Sequence, residues 1–138
     1  MKRILVLLGF VVLAGPGSAE ERVWRLGVLT PFDWPADTTM HSVMIPELSR
    51  RGFVEGKNLI VLPRWGSNVE SLAQDLASAK PDVIVAVSPR AISAAMKAVP
   101  QVPIVASFTT DPVVEGQAAS LSRPGGKVTG GSHVIIRG

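Results

Sequence analysis

Polar residues follow three strand-like stretches in this chain: Thr30 after Val23–Leu29, Ser88 after Val83–Val87, and Thr110-Asp111 just past Ile104–Phe108. A hydroxyl or carboxylate at the end of a buried strand, beside the free amides of a helix N-terminus, can hold and orient a small polar solute. Phe32 and Trp34 stand close to the first of these ends and could stack on an aromatic or cationic solute, or simply cover the sheet. Trp65 reads as packing. Covalent chemistry has much less to work with. There is no G-x-S-x-G elbow, no G-x-x-x-x-G-K-[ST] and no G-x-G-x-x-G. His41 and His133 are the only histidines and cysteine is absent, so no metal set and no paired-thiol racemase is expected. The inventory points to binding, with no catalytic residues and no cofactor.

The elements that must position these residues are legible from apolar patterning. Val83 to Val87 is an unbroken apolar run between Pro81-Asp82 and Ser88-Pro89, which predicts a strand buried on both faces of a parallel sheet. Ser88 then caps a helix with Pro89 as its first residue and helix formers from Ala91 to Ala98. Val23–Leu29 predicts strand one, and Asp37 caps a helix from Thr38 to Arg51 that stops at Gly52, with Pro46 kinking or restarting it. Leu59–Leu62 predicts strand two, cut short by Pro63 and placed at an edge for that reason. Asn68 caps a helix over Val69–Ala79, where Val69, Leu72, Leu76 and Ala79 share a face. Ile104–Phe108 is strand four. Asp111-Pro112 begins a helix from Val113 to about Ser122, and strand five starts at Val128. Strand–helix alternation of this kind gives an α/β fold: a doubly wound, five-stranded parallel sheet in the order 2-1-3-4-5.

The amino terminus reads as an export signal. Met1-Lys2-Arg3 is positive, Ile4–Ala14 is apolar, and the small residues Gly17 and Ala19 precede a cut after Ala19. Gly15 and Pro16 arrive too early for a membrane span, and the lack of a cysteine excludes a lipid anchor. Loss of Lys2 and Arg3 lowers the formal charge from +3 to +1, and no basic run exceeds Arg50-Arg51, so nucleic acid is not an expected partner. The expected organisation is a signal peptide at 1–19, an α/β lobe at 20–130, and a tail at 131–138. Without disulfides the lobe is held by its core alone.

Five segments, in order, carry a resemblance to a family. They are Gly52-Phe53-Val54-Glu55-Gly56-Lys57-Asn58; Pro81-Asp82-Val83-Ile84-Val85-Ala86; Ser88-Pro89; Thr110-Asp111-Pro112-Val113; and Ser120-Leu121-Ser122-Arg123-Pro124-Gly125-Gly126-Lys127-Val128-Thr129-Gly130. From Arg25 to Gly130 the chain resembles the substrate-binding proteins of ABC importers. The resemblance implies one lobe of a type I periplasmic-binding-protein-like fold. In that family two such lobes clasp a small organic solute, often an amino acid and often an aromatic one, and deliver it to a membrane permease. The match covers the first lobe and ends where the family's chain crosses to the second; residues 131–138 do not match. A chain truncated in this way is expected to bind ligand weakly or not at all.

The resemblance implies ligand contacts for Thr30, Ser88, Thr110 and Asp111. Asp111 suits a ligand ammonium, Thr110 a carboxylate or amide, and the Ser88 hydroxyl with the amides after it a carboxylate. Each also has a purely architectural reading: Asp111 and Ser88 are good helix caps in any protein. Arg90 departs from the small residue expected in the family. A cation in a first helical turn opposes the helix dipole, so Arg90 either points to solvent, the commoner case, or meets an anion. Two other functions stay open. One is a stand-alone periplasmic interaction module, such as a homodimer. The other is a small flavodoxin-like enzyme, for which only Asp111, Ser88 and Thr30 stand at the strand ends.

Overall fold

The computed structural model describes residues 22–32, 40–123 and 125–132. The expected signal peptide, the Asp37 cap, Trp34 and residues 133–138 lie outside the described residues. The strands are β1 (Trp24–Thr30), β2 (Leu59–Trp65), β3 (Val83–Val87), β4 (Ile104–Phe108) and β5 (Val128–Ser132). All neighbours pair in parallel, in the order β2-β1-β3-β4-β5. The α/β expectation and the strand order are those read from the sequence.

The helices are α1 (Ile45–Arg50), α2 (Val69–Ser78) and α3 (Pro89–Ala98). One sheet face packs Leu29, Ile84, Ala86 and Ile104 against Val69 and Leu76 of α2 and Ile92 and Ala95 of α3. The other buries Leu26, Val28 and Leu59 beneath Leu48 and Phe53. From Leu26 onward both faces of β1 are therefore buried, which is why Leu26–Leu29 shows no polar side. The cover over the second face is partial: in the row Val28, Val85, Val105 the last side chain is 41% exposed.

Pro46 restarts the first helix, as expected. A π-helical turn, Met40–Met44, precedes it, and the proline sits in the first turn of α1, where its missing N–H leaves no bond unmade. Gly52 ends the helix with φ +93°, and the Phe53 amide reaches back to the Leu48 carbonyl at 2.9 Å. Phe53 then stacks edge-on against Trp24, at 6.3 Å between ring centres. These rings and Leu48 line an apolar cavity of about 230 Å³ at the amino-terminal ends of the strands.

Two expectations need correction. Pro63 does not cut β2 short: the strand runs through it to Trp65, with Val28 opposite Pro63. Strand β2 is at the sheet edge, where a missing amide can face away from the ladder. The helix expected from Val113 to Ser122 does not form. The chain makes one turn over 112–116, and Gly116 then adopts φ +70°. The Gln117 amide donates to the Pro112 carbonyl (2.8 Å) and the Gly116 amide to the Val113 carbonyl (3.1 Å). This is the bond pair that closes a helix C-terminus. Local helix propensity beyond Gly116 loses to that stop.

Candidate functional site

Parallel pairing brings the carboxyl ends of all strands to one edge, and the predicted residues gather there. Thr30 closes β1, Ser88 follows β3, and Thr110-Asp111 follow β4. Strand β3 pairs with both β1 and β4, so the three ends are neighbours. The cavity under α1 and a second one of about 340 Å³, lined by Met96, Val99 and Val128, lie at the opposite edge. They are packing gaps remote from these groups.

Thr30 is 5% exposed, and its Oγ1 accepts the Phe32 amide at 3.2 Å. Trp65 stands opposite Thr30 and keeps 46% of its surface exposed, against the expectation of a packed side chain; Phe32 is 61% exposed. This corner of the edge thus carries two accessible aromatic rings.

Ser88 is the unusual residue. It caps α3 through Oγ, which accepts the Ala91 amide at a long 3.3 Å, as the sequence predicts. Its backbone, however, sits at φ 86°, ψ 151°, a region that glycine alone enters freely. Pro89 bars the helical alternative for the preceding residue. Nothing in the residue types signalled the positive φ. The hydroxyl hydrogen remains free to donate to an acceptor outside the helix.

Thr110 is exposed, and Asp111 is half-buried with Oδ1 accepting the Val113 amide at 2.8 Å. Asp111 therefore caps the single turn, and Oδ2 has no partner among the described residues. Arg90 does not simply point into solvent. Its Nε and Nη2 hold both carboxylate oxygens of Glu70, at 2.8 and 2.7 Å, and Nη1 donates to the Ser67 carbonyl at 3.1 Å. The anion it meets belongs to α2.

Those bonds from Arg90, and then the Glu70 backbone amide, hold the Glu70 carboxyl below the ordinary glutamate value; the Arg90 guanidinium is raised in turn. A carboxyl depressed in the fold contributes stability above its unfolded value and loses it as pH falls through the folded value. The pair is therefore intact at neutral pH and opens only on acidification below the glutamate range. Side-chain NMR titration should place the Glu70 midpoint below that of a free glutamate, and Arg90→Gln should move it back up. A midpoint indifferent to Arg90→Gln would mean the pair does not form in solution.

Sequence reasoning missed Gln117. It is 5% exposed, and its Nε2 donates to the Pro89 carbonyl (2.9 Å) and to Ser93 Oγ (3.1 Å), both in the first half of α3. A glutamine between an exposed glycine and two alanines gives no sign of burial.

Among the described residues the arrangement is a shelf of hydroxyls, one carboxylate and helix-terminal amides, with no hydrogen-bonded nucleophile–base pair. Known proteins match the chain as a whole. A 115-residue stretch is 31% identical to a tyrosine-binding protein of Clostridioides difficile (strain R20291), covering 80% of this chain and 33% of that one. The ligand-free, open structure of a substrate-binding protein with adhesive properties from Clostridium difficile superposes with a TM-score of 0.73 at 29% identity, over 82% of this chain and 40% of that chain. A conserved domain protein from Vibrio cholerae gives 0.69 at 28%, over 79% and 38%. An ABC domain from Streptococcus in complex with L-Trp gives 0.69 at 21%, over 80% and 38%, and so shares the fold. The chain spans about a third of the curated relative and about two fifths of these solved structures. Residues 26–136 match the family described as ABC transporter substrate binding protein, so the match runs past Gly130 into the tail expected not to match, and the chain belongs to that family.

Proposed function

We propose that this chain is the first lobe of an exported receptor that captures a small organic solute, an amino acid above all, and presents it to an ABC permease. Export would follow cleavage after Ala19 and leave the lobe in the periplasm. The observation that carries the reading is Ser88. A non-glycine residue held at φ 86°, ψ 151° costs on the order of 1–3 kcal/mol, and such strain persists chiefly where a site requires a particular side chain. It occurs here at the edge where α/β sheets bind ligands, beside the N-terminus of α3.

In this reading the Ser88 hydroxyl and the first amides of α3 receive a ligand carboxylate, Asp111 Oδ2 receives an ammonium, and Thr30 and Thr110 supply further hydrogen bonds. The exposed rings of Phe32 and Trp65 favour an aromatic side chain on the ligand. Arg90 joins an anionic ligand only in competition with Glu70. The role is binding and not catalysis, and the amino acids bound by the relatives agree with it. Residues 22–132 form one wall of a cleft, and on their own they should bind weakly, with a Kd on the order of 1 mM. Closure by a second lobe would supply the rest.

The test is an NMR titration of the isotope-labelled chain with L-tyrosine and L-tryptophan. Amide shifts should cluster at Thr30, Ser88–Ala91 and Asp111–Val113. Ser88→Gly, which releases the strain, should keep the fold but weaken the response. Shifts confined to the opposite edge, around Gly56 and Gln101, or no shift with either amino acid, would refute the reading. Sub-micromolar binding would refute the one-wall account of affinity.

A further inference from the structure

We propose that Gln117 is a positioning residue of the ligand wall: its one side-chain amide locks the Thr110–Asp111 turn onto the first turns of α3 and so fixes Asp111 relative to Ser88. The proposal rests on the ligand reading above for its purpose, and on geometry for its mechanism.

Residues 109–123 belong to no strand or helix. Their loop bonds are otherwise internal: Glu115 to Asp111, Gly116 to Val113, Gln117 and Ala118 to Pro112, Val113 to the Asp111 side chain, and Ser120 with Arg123. Among the described residues, the hydrogen bonds that tie this segment to α3 are the two made by Gln117 Nε2. The Pro89 carbonyl, next to Ser88, is one of the two acceptors. A single buried amide therefore spans the two loops that carry the candidate ligand groups.

The amide's orientation follows from its partners. A carbonyl only accepts, so the Pro89 oxygen requires the nitrogen of Gln117 and not its oxygen. The Oε1 atom is then buried with no donor among the described residues. Burying an unsatisfied acceptor is costly, and an apolar side chain of similar length would avoid that cost. What the amide adds over such a side chain is direction: it fixes where the turn sits. The same bookkeeping predicts that Gln117→Met folds, because the substitution removes an unsatisfied acceptor together with the two bonds.

The experiment compares wild type and Gln117→Met as full chains, by amide hydrogen exchange and by titration with L-tryptophan. Exchange at Gly116, Gln117 and Ala118 should accelerate roughly tenfold, the usual net worth of about one hydrogen bond, while Ile84 in β3 keeps its protection. L-tryptophan affinity should fall by a similar roughly tenfold factor. Unchanged exchange at the turn overturns the lock. Exchange that rises equally at Ile84 makes Gln117 an ordinary stabilising residue and overturns it too. A loosened turn with unchanged affinity overturns the positioning role. A wild-type chain with no response to L-tryptophan refutes the ligand reading, while the exchange result still decides the lock.

Discussion

Gly130→Ala should strip β5 from the sheet. Gly130 lies opposite Ala106 at φ +158°, and a methyl group there would fall inside the Ala106 carbonyl oxygen, with the carbonyl carbon and the amide nitrogen only 2.7 and 2.8 Å away. All three are backbone atoms of β4, which is paired on its other side to β3 and cannot retreat. No rotamer relieves such a clash. The chain must give up the β4–β5 ladder, including the bond from the Ile104 amide to the Lys127 carbonyl, and expose the buried Val128. The expected loss is about 1–3 kcal/mol, read as a lower urea midpoint and as fast exchange at the Ile104 amide. Gly131→Ala is the control. Nothing lies within 4 Å of a Cβ at Gly131, so this neighbour should tolerate the same methyl with little change. Equal effects at the two glycines would refute the account.

The second large effect is a sign reversal in the core. Leu76 of α2 is fully buried, and its two terminal methyls lie 3.0 and 3.1 Å from where a Cβ on Gly27 of β1 would stand; Ile84 Cγ1 is at 3.1 Å. Leu76→Ala should cost about 3–4 kcal/mol, the transfer loss plus the cavity left behind. Gly27→Ala alone should cost about 1–2 kcal/mol through overpacking. In the Leu76→Ala background the same methyl enters the space that the leucine has left, and it should recover about 1 kcal/mol instead. Chemical denaturation of the two single variants and the double variant measures the coupling. Additive costs would mean that the helix collapses onto the sheet and leaves no cavity.

The sheet was legible because its signals are local and redundant. Val83–Val87 and Ile104–Phe108 were read with the bounds that they have in the fold, since a short, largely apolar stretch between turn residues has few other solutions. Once the strands are parallel, their carboxyl ends must share an edge, so Thr30, Ser88 and Thr110-Asp111 were placed without any knowledge of packing. What escaped was set by partners distant in sequence or by backbone state. The Arg90–Glu70 pair joins two helices twenty residues apart. Gln117 is buried only because α3 lies above it. The φ of Ser88 is imposed by the strand-to-helix turn. The Asp111-Pro112 start was read correctly, but the helix expected over Val113–Ser122 ends at once at the left-handed Gly116, because a closed C-terminus ends a helix whatever follows it. At Pro63 the edge position was read correctly and the strand end was not: on an edge whose missing amide can face outward, the strand continues through the proline to Trp65.

Strand β1 is first in the chain but second in the sheet, flanked by β2 and β3. During synthesis β2 can pair with it early, yet its other border waits until residues 83–87 have emerged. For that interval Leu26 and Val28 stand on a half-paired strand, with the amides of one edge unclaimed. Each parallel pairing also closes a long loop before it gains a contact, which slows collapse relative to hairpin-built sheets. The vulnerable species is thus a nascent chain halted between Trp65 and Val83. A holdase that shields the border of β1 at that stage would raise the yield of folded protein more than one acting on the completed sheet.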